Sequence, residues 1–418
     1  MADSSIKGIM KILLVHNAYQ QPGGEDVVFQ LERDMLRAAG HEVVEYRRFN
    51  DEIKNYSIVR KIGLLGKTVW ASDSHRDVTA LLRQHKPAIV HVHNAFPLVS
   101  PSIFWACRSE NVPVVQTLHN YRLLCPGGNF CRDGKPCEDC ITGKFWQGAV
   151  HACYRDSRAE TAAVALMLTV HHAKKTWSEM VDCYIVLTGF SQSRYVDAGF
   201  PKYKVQVKPN FVDPDPGPRT GSGSYALFAG RLDPEKGIRT LLKAWLQMPH
   251  FRTLRILGDG HCRPETEAFA KVYPNVEFTG WLPHSRVFEQ IKGARFVVFP
   301  SEWYENLPLV IIEAFACGVP VIASDLGAMR EVVEHGRTGL LFRPGDVNDL
   351  ARTMALAWDQ PDYMNCLAEQ ARAEYELKYT ASVNYRQLMK IYEEVIARRS
   401  SSSGEPQQKV AATELAME

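Results

Sequence analysis

The stretch ARFVVFPSEWYENLPLVIIEAFACG, residues 294–318, decides the fold. Its first seven residues are a short apolar run ending at Pro300, the pattern of a buried strand. A polar loop carrying Glu302 and Glu305 follows. A helix is expected from about Pro308, because the N–H that proline lacks has no partner in a first turn anyway. Gly318 closes it, since glycine accepts the left-handed conformation at a helix end. The amides around Leu309 and Val310 then make an anion site at the start of the helix.

The same strand-then-helix alternation runs outward in both directions, which implies parallel sheets with helices on both faces. Upstream, strands are expected at 11–17, 41–46, 88–94, 112–120, 183–188 and 203–210. A helix over 25–39 has Val27, Val28, Leu31, Met35 and Ala38 on one face and ends at Gly40. The proline-, glycine- and serine-rich segment 209–224 reads as a linker. After it the pattern restarts with strands at 225–230, 254–260, 294–300 and 319–324 and a helix at 237–247. The expected organisation is an N-terminal Rossmann-like domain over 1–208 and a C-terminal one over 225–381. A helix over 382–399 and a disordered tail over 400–418 complete it. In such sheets ligands bind at the carboxyl ends of the strands, so two facing domains make a cleft.

Length and composition agree with two domains. The chain has 418 residues, with 45% hydrophobic and 23% charged, close to soluble globular averages. Its 49 basic and 47 acidic residues give a formal charge of +2, so no nucleic-acid partner is expected. No apolar run reaches the length of a spanning helix. The start, MADSSIKGIMKILLVHN, reads as a first strand rather than a signal peptide, so a cytoplasmic location is expected.

Candidate site residues lie at the strand ends. Glu305 in the loop and Glu313 on the helix have seven residues between them. A carboxylate accepts two vicinal hydroxyls at once, so the pair can grip a sugar and a ribose. Arg231 and Lys236, in FAGRLDPEKG at 228–237, follow a strand directly; two cations there can clamp a diphosphate. In isolation such residues read as solvated charges. Gly23 and Gly24 in PGGED precede a helix and let the backbone approach a ligand. They do not form the G-x-G-x-x-G fingerprint of a dinucleotide enzyme. His91, His93 and His119 end strands, where a histidine is either structural or functional.

These motifs carry a resemblance. FAGRLDPEKG, ILGDG, FTGWLP, the E-x7-E stretch through VPVIAS and DLGAMREVVEHGRTGLLF are similar to the C-terminal half of glycosyltransferase family 4, retaining enzymes of GT-B fold. VHNAYQQPGGEDVVF, HVHNAFPLVSPS and TLHNYRLLCP extend the resemblance into the N-terminal half, so it spans about 10–395. The resemblance implies an α/β GT-B fold whose last helix crosses back to the N-terminal domain. It implies that Arg231 and Lys236 hold the donor diphosphate, that Glu313 binds the nucleotide ribose and that Glu305 lies near the donor sugar. Asn306, Leu307, Pro308 and Leu309 would line that sugar and its phosphates. Gly23 and Gly24 would approach them from the other side, and His119 would stand near the reacting sugar. Many relatives carry aspartate after this histidine; here it is Asn120, a departure from a His-Asp pair. The implied reaction is metal-independent transfer from a UDP- or GDP-type sugar to a saccharide or lipid-linked acceptor in polysaccharide biosynthesis. No cofactor is required for catalysis. The alternatives are another GT-B enzyme, such as a nucleotide-sugar epimerase, or a non-catalytic sugar-nucleotide-binding protein.

Three features stand apart. DPD at 213–215 mimics a metal motif but sits in the linker with no strand to present it. The segment 54–70 mixes four cations with seven apolar residues and reads either as an interfacial segment, giving peripheral membrane association, or as a helix packed on the sheet. Of ten cysteines, five fall within 125–153. Cys125, Cys137, Cys140 and Cys153 read either as a structural zinc site with a C-x2-C knuckle or as reduced, partly buried thiols.

Overall fold

The computed structural model describes residues 8–20, 23–55 and 58–403; the side chains of 54–62 and 402–403 lie outside that description. The strands of the first half are β1 (Lys11–Ala18), β2 (Glu42–Phe49), β3 (Ile89–Asn94), β4 (Val114–Thr117), β5 (Cys131–Arg132), β6 (Lys135–Pro136), β7 (Cys183–Val186) and β8 (Val205–Val207). Those of the second are β9 (Tyr225–Ala229), β10 (Thr253–Leu257), β11 (Val276–Gly280), β12 (Ala294–Phe299), β13 (Val321–Ser324) and β14 (Gly339–Phe342). They build two six-stranded sheets, ordered β2-β1-β3-β4-β7-β8 and β11-β10-β9-β12-β13-β14, and a small β5-β6 hairpin. Both large sheets are parallel. β3 and β13 are buried throughout, as strands covered by helices on both faces must be.

Strand order places the ligand. In the second sheet it reverses between β9 and β12, and in the first between β1 and β3. A crevice opens at such a switch point beyond the strand ends. The loops there are those that carry Arg231 and Lys236, Glu305 and Asn306, Gly23 and Gly24, and the stretch after His93.

The boundaries differ from expectation at several points. β4 occupies only Val114–Thr117 of the expected 112–120, because Pro113 lacks an N–H for the ladder and the chain beyond Leu118 turns into the crevice. β11 and β14 have no counterpart in the expected strands: β11 is amphipathic and β14 has only four residues. The segment between Lys208 and Tyr225 makes one isolated bridge, Val212 to Thr380, beside the start of the last helix. That helix runs Ala381–Ser403, past the expected end at 399; residues 404–418 of the expected tail lie outside the described residues. Its Leu388, Met389, Tyr392 and Val395 pack with Ile12, Leu14, Phe29 and Ile89 of the first half. The second half is thereby tied back to the first.

The segment 54–70 contains a helix, Ile58–Val69, although much of the expected interfacial stretch lies outside the described side chains. No described helix is long and apolar enough to cross a membrane.

Candidate active site

The turn after β9 is locked to the end of β12. Gly237 has φ +72°, and a Cβ there would lie 1.8 Å from the Pro300 carbonyl oxygen, so only glycine allows this approach. Glu302 N–H donates to the Glu235 carbonyl at 2.8 Å. Lys236 Nζ thereby reaches Glu305 Oε1 at 2.6 Å. Ser301 Oγ and Trp303 Nε1 donate to the same oxygen at 2.7 and 2.6 Å. Lys236 Nζ and the Arg231 guanidinium stand 5.0 and 5.9 Å from the centre of the Trp303 ring, so the two expected clamp cations converge. Arg231 is the exposed member, at 60%, and pairs with Asp233 at 2.8 Å; Lys236 is 14% exposed.

The helix after this loop runs Leu309–Ala316 with Pro308 as its N-cap, one position outside the first turn expected for it. The Leu309 and Val310 amides precede any intrahelical acceptor. Leu307 is buried beside them. Glu313 is buried in the second turn and binds His284 Nε2 at 2.7 Å. That bond raises the His284 pKa. His284 was not among the residues expected here, since no spacing in the sequence links it to Glu313.

The opposite wall comes from the first half. A Cβ on Gly24 would lie 3.3 Å from Leu309 Cδ1, so the start of the Gly24–Ala38 helix meets the start of the Leu309–Ala316 helix. Gly23 caps the former, and its N–H donates to Asp26 Oδ2 at 2.8 Å. Asn306 spans the halves: its Nδ2 donates to the Leu118 carbonyl at 2.7 Å, and its Oδ1 accepts from Ser191 Oγ. Tyr121 OH donates to the Glu305 carbonyl at 3.2 Å. Glu331 accepts from the Gly189 and Phe190 amides at 2.8 and 2.7 Å.

His119 therefore stands one residue from the Asn306 contact. Burial, with His93 beside it, holds its pKa well below the usual value, so it is neutral. Its Nε2 is 3.1 Å from His93 Nδ1. Burial pushes His93 down to about 4. His93 and His91 approach Glu32 Oε1 at 3.2 and 2.9 Å. Burial alone would raise the Glu32 carboxyl, but Lys208 and the two histidines hold it well below its usual value. Glu32, His91 and His93 are the trio, among the described residues, whose ligand atoms lie close enough for a cation. Lys208 Nζ already fills that role 3.0 Å from Glu32 and also donates to Asn384 of the last helix. His91 and His93 thus belong to a buried network that leads from His119 to that helix.

A recess opens beside His119, lined in part by Phe96, Asn120, Arg122 and Trp177. One carboxyl at this wall was missed from the sequence. Glu25 Oε2 accepts from Asn120 Nδ2 at 3.4 Å and Tyr19 OH at 3.3 Å, while Oε1 is buried without a partner among the described residues. The acid beside Asn120 is thus supplied from the glycine loop. Its only sequence signal is an acid directly after the glycine pair. Burial, reinforced by Asp26 and opposed by Tyr19, Arg122 and Asn120, raises its pKa to about 8. The folded state then holds a proton that the unfolded state has released, so this group's contribution to stability falls as pH rises from about 4.5 to about 8. Glu25→Gln is expected to flatten the dependence of Tm on pH across that window. An unchanged slope would contradict the raised pKa.

The five clustered cysteines line one cavity with Arg132 and Asp139. The DPD segment is an ion pair instead: Asp215 binds Arg372 at 2.7 Å.

Known proteins match this architecture. A family described as Glycosyltransferase Family 4 matches residues 22–216, and one described as Glycosyl transferases group 1 matches 223–360. An exopolysaccharide phosphotransferase of Streptomyces coelicolor is 29% identical over 229 residues, covering 52% of this chain and 24% of that protein. An uncharacterized glycosyltransferase of Methanocaldococcus jannaschii is 24% identical, covering 84% of this chain and 87% of that protein. The matches to the first three curated relatives span 24%, 45% and 54% of their lengths. The fold is that of Anabaena HepE, solved with UDP and glucose: TM-score 0.65, 19% identity, covering 92% of this chain and 99% of HepE.

Proposed function

We propose, from the premise that this chain belongs to glycosyltransferase family 4 and has the GT-B fold, that it moves a sugar from a nucleotide-sugar to an acceptor hydroxyl. The observation that carries this reading is the convergence at one switch point of Lys236, Arg231, Glu305 and two helix N-termini. That constellation suits a leaving diphosphate, whose developing charge needs preorganised donors and cations. A UDP- or GDP-type donor fits, and structures of the HepE neighbour hold UDP, glucose or UDP-glucose. Glu313 takes the ribose hydroxyls and Glu305 the donor sugar. All hydrogen bonds that described residues make to the Glu305 carboxylate fall on Oε1, which leaves Oε2 for a hydroxyl.

We read the reaction as retaining. The neutral His119 and the Glu25 carboxyl stand on the acceptor wall, and the departing phosphate takes the acceptor proton. The recess beside His119 suits a saccharide of a growing surface polysaccharide, carried on a lipid or free. Leu65 and Trp70, exposed at 44% and 38%, support peripheral docking on a membrane that holds such an acceptor.

The test is a thermal-shift screen against UDP-, GDP- and ADP-sugars, followed by transfer assays with the sugar that binds. A specific donor raises Tm in proportion to the logarithm of its excess over Kd. Absence of any shift, or turnover without net transfer to an acceptor, overturns the assignment. Because protein groups supply the charge, transfer is expected to proceed unchanged in EDTA over an assay of minutes. Immediate loss, restored by Mg²⁺ or Mn²⁺, would sink the metal-independent mechanism.

A further inference from the structure

We propose that Cys125, Cys137, Cys140 and Cys153 bind one structural zinc ion that holds the excursion between β4 and β7 against the active-site wall. This excursion is long and poorly supported. Across 125–153 its regular structure is the two-residue strands β5 and β6 and one five-residue helix, Trp146–Val150. Loops of this length without elements of their own are uncommon in compact domains and need another restraint. The backbone is also strained beside the thiols. Phe130, Asp133, Ala152, Arg155 and Asp156 all take positive φ, a conformation that persists only where surroundings enforce it.

The thiols converge from separate turns. All are free of disulfides, and they line one small cavity. A Cβ on Gly127 would lie 3.0 Å from the Cys153 carbonyl oxygen, so the turn after Cys125 is pressed against Cys153. Cys140 lies within electrostatic reach of Cys125, Cys153 and Cys137, and Cys153 within that of Cys125 and Cys137. The fifth thiol, Cys131, lines the same cavity and also lies within reach of Cys125 and Cys137, but the Glu235 carboxylate is its foremost charged neighbour; that negative charge opposes a further thiolate at Cys131, so it stands outside the ligand set. Among the described residues no three sulfurs approach within 4.8 Å of one another, so binding requires the turns that carry them to close inward. On binding, each ligand thiol loses its proton to solvent. Four thiolates around Zn²⁺ leave a double negative charge, which Arg132 at the cavity rim opposes.

Four soft sulfur donors select zinc in tetrahedral geometry and leave no open position for substrate. The ion acts through packing. Phe130, within the excursion, is fully buried against Tyr121, with ring centres 4.7 Å apart, and meets Tyr304 at 6.4 Å. Tyr121 donates to the Glu305 carbonyl, and Tyr304 directly precedes Glu305 in the chain.

The experiment is metal analysis of the full chain purified without a histidine tag. Wild type and Cys131→Ser are expected to hold about one zinc each, while Cys125→Ser, Cys137→Ser, Cys140→Ser and Cys153→Ser each fall below about a tenth. Should these variants fail to fold, wild type decides alone. A mercurial thiol reagent is expected to release its zinc to a chromophoric chelator, and ZnCl2 to restore the stoichiometry of metal-free protein. Zinc absent after ZnCl2 addition, iron in its place, a disulfide among these cysteines, or equal loss in Cys131→Ser overturns the proposal.

Discussion

Lys236→Ala is expected to lower turnover by about 10²–10³-fold, the usual cost of removing one preorganised stabiliser of developing charge. Two losses act together. The cation that faces the leaving phosphate disappears, and Glu305, 9% exposed and bonded to Lys236 at 2.6 Å, keeps a buried charge with no cation beside it. Arg231→Ala is expected to act in the same direction within that range. Its side chain is 60% exposed and its ion pair with Asp233 is a rim interaction, so it contributes little to folding and its loss should fall on turnover. Initial rates at saturating donor, with Tm measured in parallel, separate the two effects. Near-normal turnover in both variants would remove the diphosphate clamp.

The second large effect divides the carboxylates. Glu313→Ala is expected to weaken nucleotide binding by about 10–100-fold, the worth of hydrogen bonds to a charged acceptor. It should also lower the His284 pKa, which the Glu313 bond raises; NMR titration of the ring reports that directly. Glu305→Ala should instead depress kcat and alter the choice of donor sugar, because Glu305 anchors Lys236, Ser301 and Trp303. Loss of a transition-state contact lowers kcat and kcat/KM together, whereas loss of uniform binding raises KM alone. Identical losses of nucleotide affinity in both variants would contradict the division of roles.

Much of this site is local in sequence and was legible for that reason. Arg231 and Lys236 follow a strand, Glu305 sits in a strand-to-helix loop, and Glu313 lies on the helix it opens. Each is placed by short-range rules of strand, turn and cap. What was hidden depends on chain topology. Glu25 meets Asn120 from 95 residues away and Asn306 meets Leu118 from 188; no periodicity encodes such pairs. The buried His91–His93–Glu32–Lys208 network was equally invisible, since its members come from β3, the first helix and the end of the first half. β11 and β14 escaped because an amphipathic edge strand and a four-residue run give weak signals.

The meeting of the Gly24 and Leu309 helix starts has an electrostatic consequence. Each helix start carries roughly half a positive elementary charge, and here two of them point at one another across a Gly24–Leu309 contact. Like partial charges repel, and polar latches such as Asn306 to Leu118 and Glu331 to the Gly189 and Phe190 amides hold the two walls together against that repulsion. An anion between the helix ends turns this mutual repulsion into a shared attraction. On the proposed function, the donor's own phosphates would be the fastener of the clasp, and their departure would unfasten it.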